Sequence, residues 1–191
     1  MSDLPSRRAF LRATIAAGAA WTTVDLSQVE EALAMVATHA TGGVYTFSAL
    51  TPAEAETIDA IASRILPSID GRPGAHEARA VYFVDRALCT FNSTQRKLYT
   101  DGVAHLDRRS SRLRKGMTRF VALTAAEQDQ LLHTIEKTRF FQVVRFDTIV
   151  GTFALPTWGG NQGFTGWQML RLTHQPAFGP PFGFYDVDSS R

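Results

Sequence analysis

Two Thr-x-x-Glu capping boxes, at Thr51–Glu54 and Thr124–Glu127, constrain the fold of this 191-residue sequence more than any other feature. In such a box the threonine hydroxyl and the glutamate carboxylate each accept a hydrogen bond from a backbone N–H, which fixes where a helix begins. Pro52 strengthens the first box because proline suits the first helical turn. Apolar residues follow both boxes at helical spacing, and no stretch alternates apolar and polar residues long enough to predict a strand. The sequence therefore predicts an all-α fold.

The apolar spacing predicts a small domain of about five helices. Ser93 is expected to cap the third of them. The fifth is so densely apolar that we expect it to be central, or buried on most of its sides. The predicted helices run from Thr51 to a stop at Pro67, from about Ala75 to Leu88, from Ser93 to about Leu113, from Thr124 through Ile135, and from Phe140 to Phe153.

The beginning of the chain has the pattern of an export signal. Its paired arginines are followed by Phe-Leu, an order typical of twin-arginine signals, which are recognised by a receptor; the residues are Arg7, Arg8, Phe10 and Leu11. The uncharged run that follows, residues 13–24, spans about 18 Å as a helix and is too short to cross a hydrocarbon core of roughly 30 Å. We therefore predict a twin-arginine signal peptide over residues 1–34 and export to the periplasm. The alternative is an ordinary amphipathic N-terminal helix.

The rest of the chain divides into a linker, residues 35–49, and a helical domain, residues 50–191. Eight of the thirteen phenylalanines lie after residue 139, and beyond Phe153 the aromatic residues stand among glycines and prolines. This irregular C-terminal segment, about 154–191, either wraps its own helical core or docks into a partner. Docking is the hypothesis that we favour, and the candidate interface residues are Phe153, Trp158, Asn161, Phe164, Trp167 and Phe182. The glycine-rich stretch 159–163 also predicts a tight turn with positive φ values, in which Asn161 bonds the local backbone.

The sequence offers little that could build an active site. It has no phosphate-loop pattern, no dinucleotide fingerprint and no Gly-x-Ser-x-Gly motif, and its five histidines never pair at helical spacing. A single cysteine excludes an internal disulfide framework. Twenty basic and eighteen acidic residues are too balanced for a nucleic-acid-binding protein recognised by charge alone. We expect no catalytic, cofactor-binding or metal-binding residues in this chain.

Several single residues invite a sharper interpretation. Asp85, Asp107 and Asp147 are expected to be surface or salt-bridged carboxylates. A basic run in the third helix, residues 108–115, is expected to be a solvated or partner-facing patch. Cys89 is expected to be a small buried hydrophobe, and the alternative is a disulfide with a cysteine of another subunit.

The order of several short motifs resembles a known family. They are Leu50-Thr51-Pro52-Ala53-Glu54 leading to Ile65-Leu66-Pro67, then Pro73-Gly74-Ala75, Phe83-Val84-Asp85, residues 99–106 with Gly102, and Pro156-Thr157-Trp158-Gly159-Gly160-Asn161 followed by Gly166-Trp167. Together with the twin-arginine start they resemble the gluconate 2-dehydrogenase subunit 3 (gamma, small subunit) family of membrane-bound FAD-dependent sugar and polyol dehydrogenases. Trp158 stands where this family usually has tyrosine, and the closing residues 173–191 do not match it.

The resemblance implies a non-catalytic accessory subunit. FAD and the catalytic chemistry would belong to a separate large subunit, and a multihaem cytochrome c subunit would pass electrons onward to the membrane quinone pool. The small chain would escort the large subunit during maturation. Its signal would bring both chains to the twin-arginine translocase as a folded complex. In the periplasm the small chain would then be associated with the membrane through that complex. The alternatives are a stand-alone exported oxidoreductase and a general exported helical binding module.

Overall fold

The computed structural model describes residues 45–172, which form a helical domain. Its α-helices are α1 Pro52–Ile65, α2 Ala80–Cys89, α3 Arg96–Leu113, α4 Ala125–His133, α5 Arg139–Phe153 and α6 Thr165–Met169. Short 3₁₀ turns lie at Ser93–Gln95, Phe120–Ala122, Pro156–Trp158 and Gln162–Phe164. No strand forms within residues 45–172, so the predicted all-α fold is confirmed.

Both predicted capping boxes are present. The backbone N–H of Thr51 donates to the Glu54 carboxylate at 2.8 Å, and the N–H of Glu54 donates to the Thr51 hydroxyl at 3.2 Å. Thr124 and Glu127 form the same reciprocal pair at the start of α4. These short local signals specify where two of the helices begin.

Two other helix starts differ from the sequence-based prediction. The second helix begins at Ala80 rather than near Ala75, because residues 75–79 form turns that end in Arg79 with a left-handed φ of 56°. Ser93 opens a 3₁₀ turn and does not cap the third helix; α3 starts at Arg96 with no side-chain cap. The fifth helix has a cap that the prediction missed, a hydrogen bond from the Phe141 N–H to the Thr138 hydroxyl at 3.3 Å.

The core is built around the contact between α2 and α5, the most extensive in the domain. Helices α1 and α3 pack against this pair, and Gly102 lets α3 approach closely, because a Cβ there would overlap the ring of Phe140. The largest buried apolar side chains come from all parts of the domain: Ile58, Ile61, Val84, Leu88, Tyr99, Leu106, Phe120 and Val144. No helix between residues 45 and 172 has the length and apolar character needed to span a bilayer.

Helix α5 is less buried than its composition predicted. Val144 and Phe140 face the core, but Phe146 is 62% exposed and Ile149 is 37% exposed. The dense apolar run therefore serves two surfaces. One packs on α2, and the other faces outward.

Candidate partner interface

The predicted docking segment begins as a turn that is fastened to the end of α5 by Asn161. The Asn161 side chain is completely buried; its Nδ2 donates to the Ala154 carbonyl at 2.8 Å, and its Oδ1 accepts from the Gly166 N–H at 2.8 Å. Asn161 has a φ of 47°, and Gly159 and Gly163 also have positive φ values. The predicted tight turn with local bonding by Asn161 is confirmed. Because that side chain is buried and both ends of its amide are hydrogen-bonded, it offers a partner no surface.

Two glycines in this segment pack directly on the backbone of α5. A Cβ at Gly160 would overlap the Gly151 carbonyl, and a Cβ at Gly166 would overlap the Thr152 carbonyl. Gly151 is itself pressed against α2, since a Cβ there would lie 2.8 Å from the Ala80 carbonyl oxygen. The glycines of the Gly-Gly-Asn and Gly-Trp motifs thus permit close backbone contact between α5 and the segment that contains α6.

Most of the candidate aromatic residues are half-buried within the chain. Trp167 donates its indole N–H to the Phe153 carbonyl at 2.7 Å, and the rings of Trp167 and Phe164 lie 5.1 Å apart. Trp158 and Phe153 are also half-buried. Trp167 and Phe164 therefore brace the segment, and all four residues show part of their surface. Phe182 and the export residues Arg7, Arg8, Phe10 and Leu11 lie outside the described residues.

The large apolar side chains that are truly exposed near this segment are different ones. Phe146 and Ile149 lie one turn apart on the outer face of α5. Leu155, just after α5, is 48% exposed, and Leu170 and Leu172, just after α6, are 52% and 57% exposed. Sequence patterns alone do not single out these residues, because the helical spacing of α5 gives no sign of which face is left uncovered.

The residues before α1 are tied to α2 by Asp85, so residues 45–49, assigned to the linker, belong to the folded domain. The Asp85 carboxylate accepts hydrogen bonds from the backbone N–H groups of Ser48, Ala49 and Leu50, at 2.8–3.2 Å, and from the Tyr45 hydroxyl at 2.9 Å. Asp85 is 1% exposed. The prediction of a surface carboxylate is wrong here, because this side chain replaces water for three backbone donors.

Beside Asp85 lies a buried cation, Arg86. Its side chain is 8% exposed, its guanidinium carbon lies 5.8 Å from the centre of the Tyr45 ring, and its Nη1 is 3.5 Å from the Thr157 carbonyl. Tyr45 in turn stacks on Tyr82 with ring centroids 3.9 Å apart. Burial, and then the Asp85 charge, raise the pKa of Tyr45, which therefore remains a neutral hydrogen-bond donor. This cluster joins residues 45–50, α2 and the turn at Thr157.

The second misjudged carboxylate, Asp147, lies in the core between α5 and α3. It is 2% exposed and accepts a hydrogen bond of 2.6 Å from the Tyr99 hydroxyl. Burial raises the pKa of Asp147 to about 6, and the hydrogen bond from Tyr99 opposes that rise. Asp107, by contrast, is half-buried and accepts from the Phe120 N–H at 2.8 Å. All three acids thus organise the backbone or the core.

Cys89 is half-buried at the end of α2 and packs against the core. Burial, followed by the charge of Asp85, raises the pKa of its thiol, which favours the unreactive protonated form. A disulfide with another subunit stays a prediction. Within residues 45–172 no three His, Cys, Asp or Glu side chains come together in a way that could hold a metal ion.

The family model of gluconate 2-dehydrogenase subunit 3 matches residues 52–172 of the chain. The chain belongs to this family. The match runs from the first residue of α1 to the last described residue, so it includes Asp85 and Arg86, the outer face of α5 and the glycine-braced segment, but not residues 45–50. No curated protein and no solved structure matches the chain. The family's description is that of one subunit of a dehydrogenase that has several.

Proposed function

We propose that this chain is the non-catalytic small subunit of a periplasmic, membrane-associated, FAD-dependent sugar or polyol dehydrogenase, and that it escorts the large catalytic subunit. In this proposal FAD is bound by the large subunit, and a multihaem cytochrome c subunit completes the complex. Membership of the subunit 3 family supports a role inside such an assembly. The twin-arginine pattern at Arg7 and Arg8 supports joint export of the two folded chains by the twin-arginine translocase.

The observation that carries the proposal is the outward apolar face of α5. Phe146 is 62% exposed, and it shares that face with Ile149, while the opposite side of the helix is packed on α2. Burying such a side chain against a partner contributes roughly 1.5–3 kcal/mol. Because this face belongs to a regular helix that is packed on α2, little ordering is required on binding. We infer that the large subunit covers this face.

Copurification of the full chain with its large subunit tests this contact. Phe146→Ser combined with Ile149→Ser should abolish copurification and leave the large subunit poor in FAD. Ile69→Ser is the matched control, because Ile69 is 57% exposed on a turn after α1, and this variant should copurify like the wild type. Equal recovery from all variants would place the interface elsewhere. A large subunit that reaches the periplasm loaded with FAD and active without this chain would refute the escort role.

Export is tested separately by Arg7→Lys combined with Arg8→Lys. We expect this variant to retain copurification, because the described domain is unchanged, but to leave both chains in the cytoplasm. Periplasmic dehydrogenase activity equal to wild type would show that the paired arginines do not direct export of the complex.

A further inference from the structure

Positive charge is concentrated at the C-terminal end of α3. Residues 105–119 contain six basic residues and one acidic residue, whereas the whole chain has a net charge of only +2. Residues 111–116, which include the last turn of α3 and the turn after it, are all exposed. Leu113 lies in the middle of this exposed stretch and is 40% exposed. We call residues 108–116 the basic tip.

Intramolecular ion pairs account for only part of this charge. Arg114 lies 3.5 Å from the Glu127 carboxylate, and Arg119, just beyond the tip, lies 2.7 Å from Glu56. Arg108, Arg112 and Lys115 form no ion pair with any residue between 45 and 172. Cations do stabilise the C-terminal end of a helix. That effect does not explain an exposed leucine set between arginines.

A shallow groove continues the basic surface toward α4. It has a volume of about 480 Å³ and is lined on the α3 side by His105, Arg109, Arg112 and Leu113. On the α4 side it is closed by neutral residues, among them Gln130 and Thr134. The lining therefore holds no carboxylate that would neutralise the two arginines.

We propose that the basic tip binds the surface of an anionic lipid bilayer. Binding at a bilayer surface needs no pocket. It requires basic side chains at the level of the headgroups and an apolar side chain that reaches the boundary of the acyl chains. The central residues of protein interfaces lie in closely fitted pockets that are rich in aromatic side chains and poor in leucine, whereas the basic tip has no aromatic residue and its one large apolar side chain is a leucine. This goes beyond the proposed function, in which the chain reaches the membrane only through its complex; here the small chain contacts lipid itself.

Vesicle cosedimentation of the purified full chain tests the proposal. The vesicles are phosphatidylcholine mixed with phosphatidylglycerol, and pure phosphatidylcholine vesicles serve as the neutral comparison. The test variant combines Arg108→Gln, Arg112→Gln and Lys115→Gln. The matched control combines Lys137→Gln, Arg139→Gln and Arg145→Gln, which removes the same charge from exposed positions without described ion pairs. All variants share the same residues 1–44, so differences between them report only on the neutralised positions.

We expect the tip variant to bind anionic vesicles about a hundredfold more weakly than wild type, because each of the three basic side chains near such a surface raises the affinity about fivefold. The control should retain most of the wild-type binding. Leu113→Ala should weaken binding by up to about tenfold, and high salt should weaken the wild type toward the level of the tip variant. Inorganic phosphate at the same phosphate concentration should not compete.

Equal loss from the tip and control variants would overturn the proposal, since binding would then follow net charge alone. Vesicle binding by the tip variant at the wild-type level would also overturn it. If that variant instead lost copurification with the large dehydrogenase subunit, the basic tip would be a protein interface for an acidic segment. The thermal midpoint of each variant, expected to be unchanged at these exposed positions, shows that a loss of binding is not a loss of folding.

Discussion

Replacing Asn161 with alanine should strongly destabilise the domain. The side chain is completely buried. It donates one hydrogen bond to the Ala154 carbonyl and accepts one from the Gly166 N–H. Alanine removes both partners at once. It also places a residue with a Cβ and no polar side chain at a φ of 47°, a conformation that asparagine tolerates far better.

The magnitude follows from these two losses. Each buried backbone group left without a partner costs about 1–3 kcal/mol, and the left-handed conformation adds about 1 kcal/mol. The free energy of unfolding should therefore fall by about 3–7 kcal/mol. Domains of this size are stable by only about 5–15 kcal/mol. The variant should thus lose a large part of its stability.

Urea unfolding of the full chain, followed by far-UV circular dichroism and tryptophan fluorescence, measures this change. Asn161→Gly separates the two contributions, because glycine adopts the left-handed conformation freely and still lacks both hydrogen bonds. It should recover about 1 kcal/mol relative to alanine. The reasoning is refuted if Asn161→Ala unfolds within about 0.5 kcal/mol of wild type. If that same variant also failed to copurify with the large subunit, Asn161 would be an interface residue, as the sequence hypothesis held.

Three further predictions follow from the buried groups. The pKa of Asp147 is raised from 3.8 to about 6, so the folded state binds this proton more tightly than the unfolded state; the contribution of Asp147 to stability should be complete below about pH 4 and should be lost, by roughly 3 kcal/mol, as the pH rises through 6. Asp147→Asn, which keeps an acceptor for Tyr99, should lack this decline in pH-dependent urea unfolding, and a decline of equal size would contradict the assignment. Asp85→Ala should lower the free energy of unfolding by about 2–6 kcal/mol, because it leaves the two buried N–H groups of Ala49 and Leu50 unpaired, and should speed amide exchange at Leu50; unchanged exchange would show that residues 48–50 are held by other contacts. Gly160→Ala should cost about 3 kcal/mol or more, since its Cβ would overlap the Gly151 carbonyl. At Gly163 a Cβ would lie 3.9 Å from the Thr165 hydroxyl, an ordinary contact, so Gly163→Ala should cost only the left-handed strain of about 1 kcal/mol; similar thermal midpoints for the two variants would argue against the close contact.

The sequence was sufficient to predict the features that depend on neighbouring residues. The Thr51 and Thr124 boxes are complete within four residues, so they specified two helix starts. The turn around Asn161 could be predicted for the same reason. The start of α2 could not be predicted, because it depends on the left-handed conformation of Arg79, which no local residue pattern indicates. Ser93 had the right chemistry for a cap and the wrong place, one turn before α3.

The buried carboxylates could not be predicted, because their partners are distant in the sequence. Asp85 bonds residues 35 to 40 positions earlier, and Asp147 bonds Tyr99, 48 positions away. An acid within a helical pattern is normally solvated, and only the folded chain shows that these two replace solvent. The exposure of Phe146 could not be predicted for the same reason. The sequence gives the apolar content of α5 but not which of its faces other helices cover.

The irregular segment after α5 and the outer face of α5 have different roles in the structure, and this difference bears on where a partner can bind. Trp167 and Asn161 make directed hydrogen bonds inside the chain, and the glycines between them press the segment onto α5. A partner that displaced them would have to replace those bonds. A partner that contacts Phe146 would not have to break such bonds, because Phe146 is exposed on a helix whose inner face is already packed. Contact through the helix face therefore costs less than contact through the irregular segment, and we expect truncation of Phe146 to affect binding more than stability, whereas truncation of Trp167 should do the reverse.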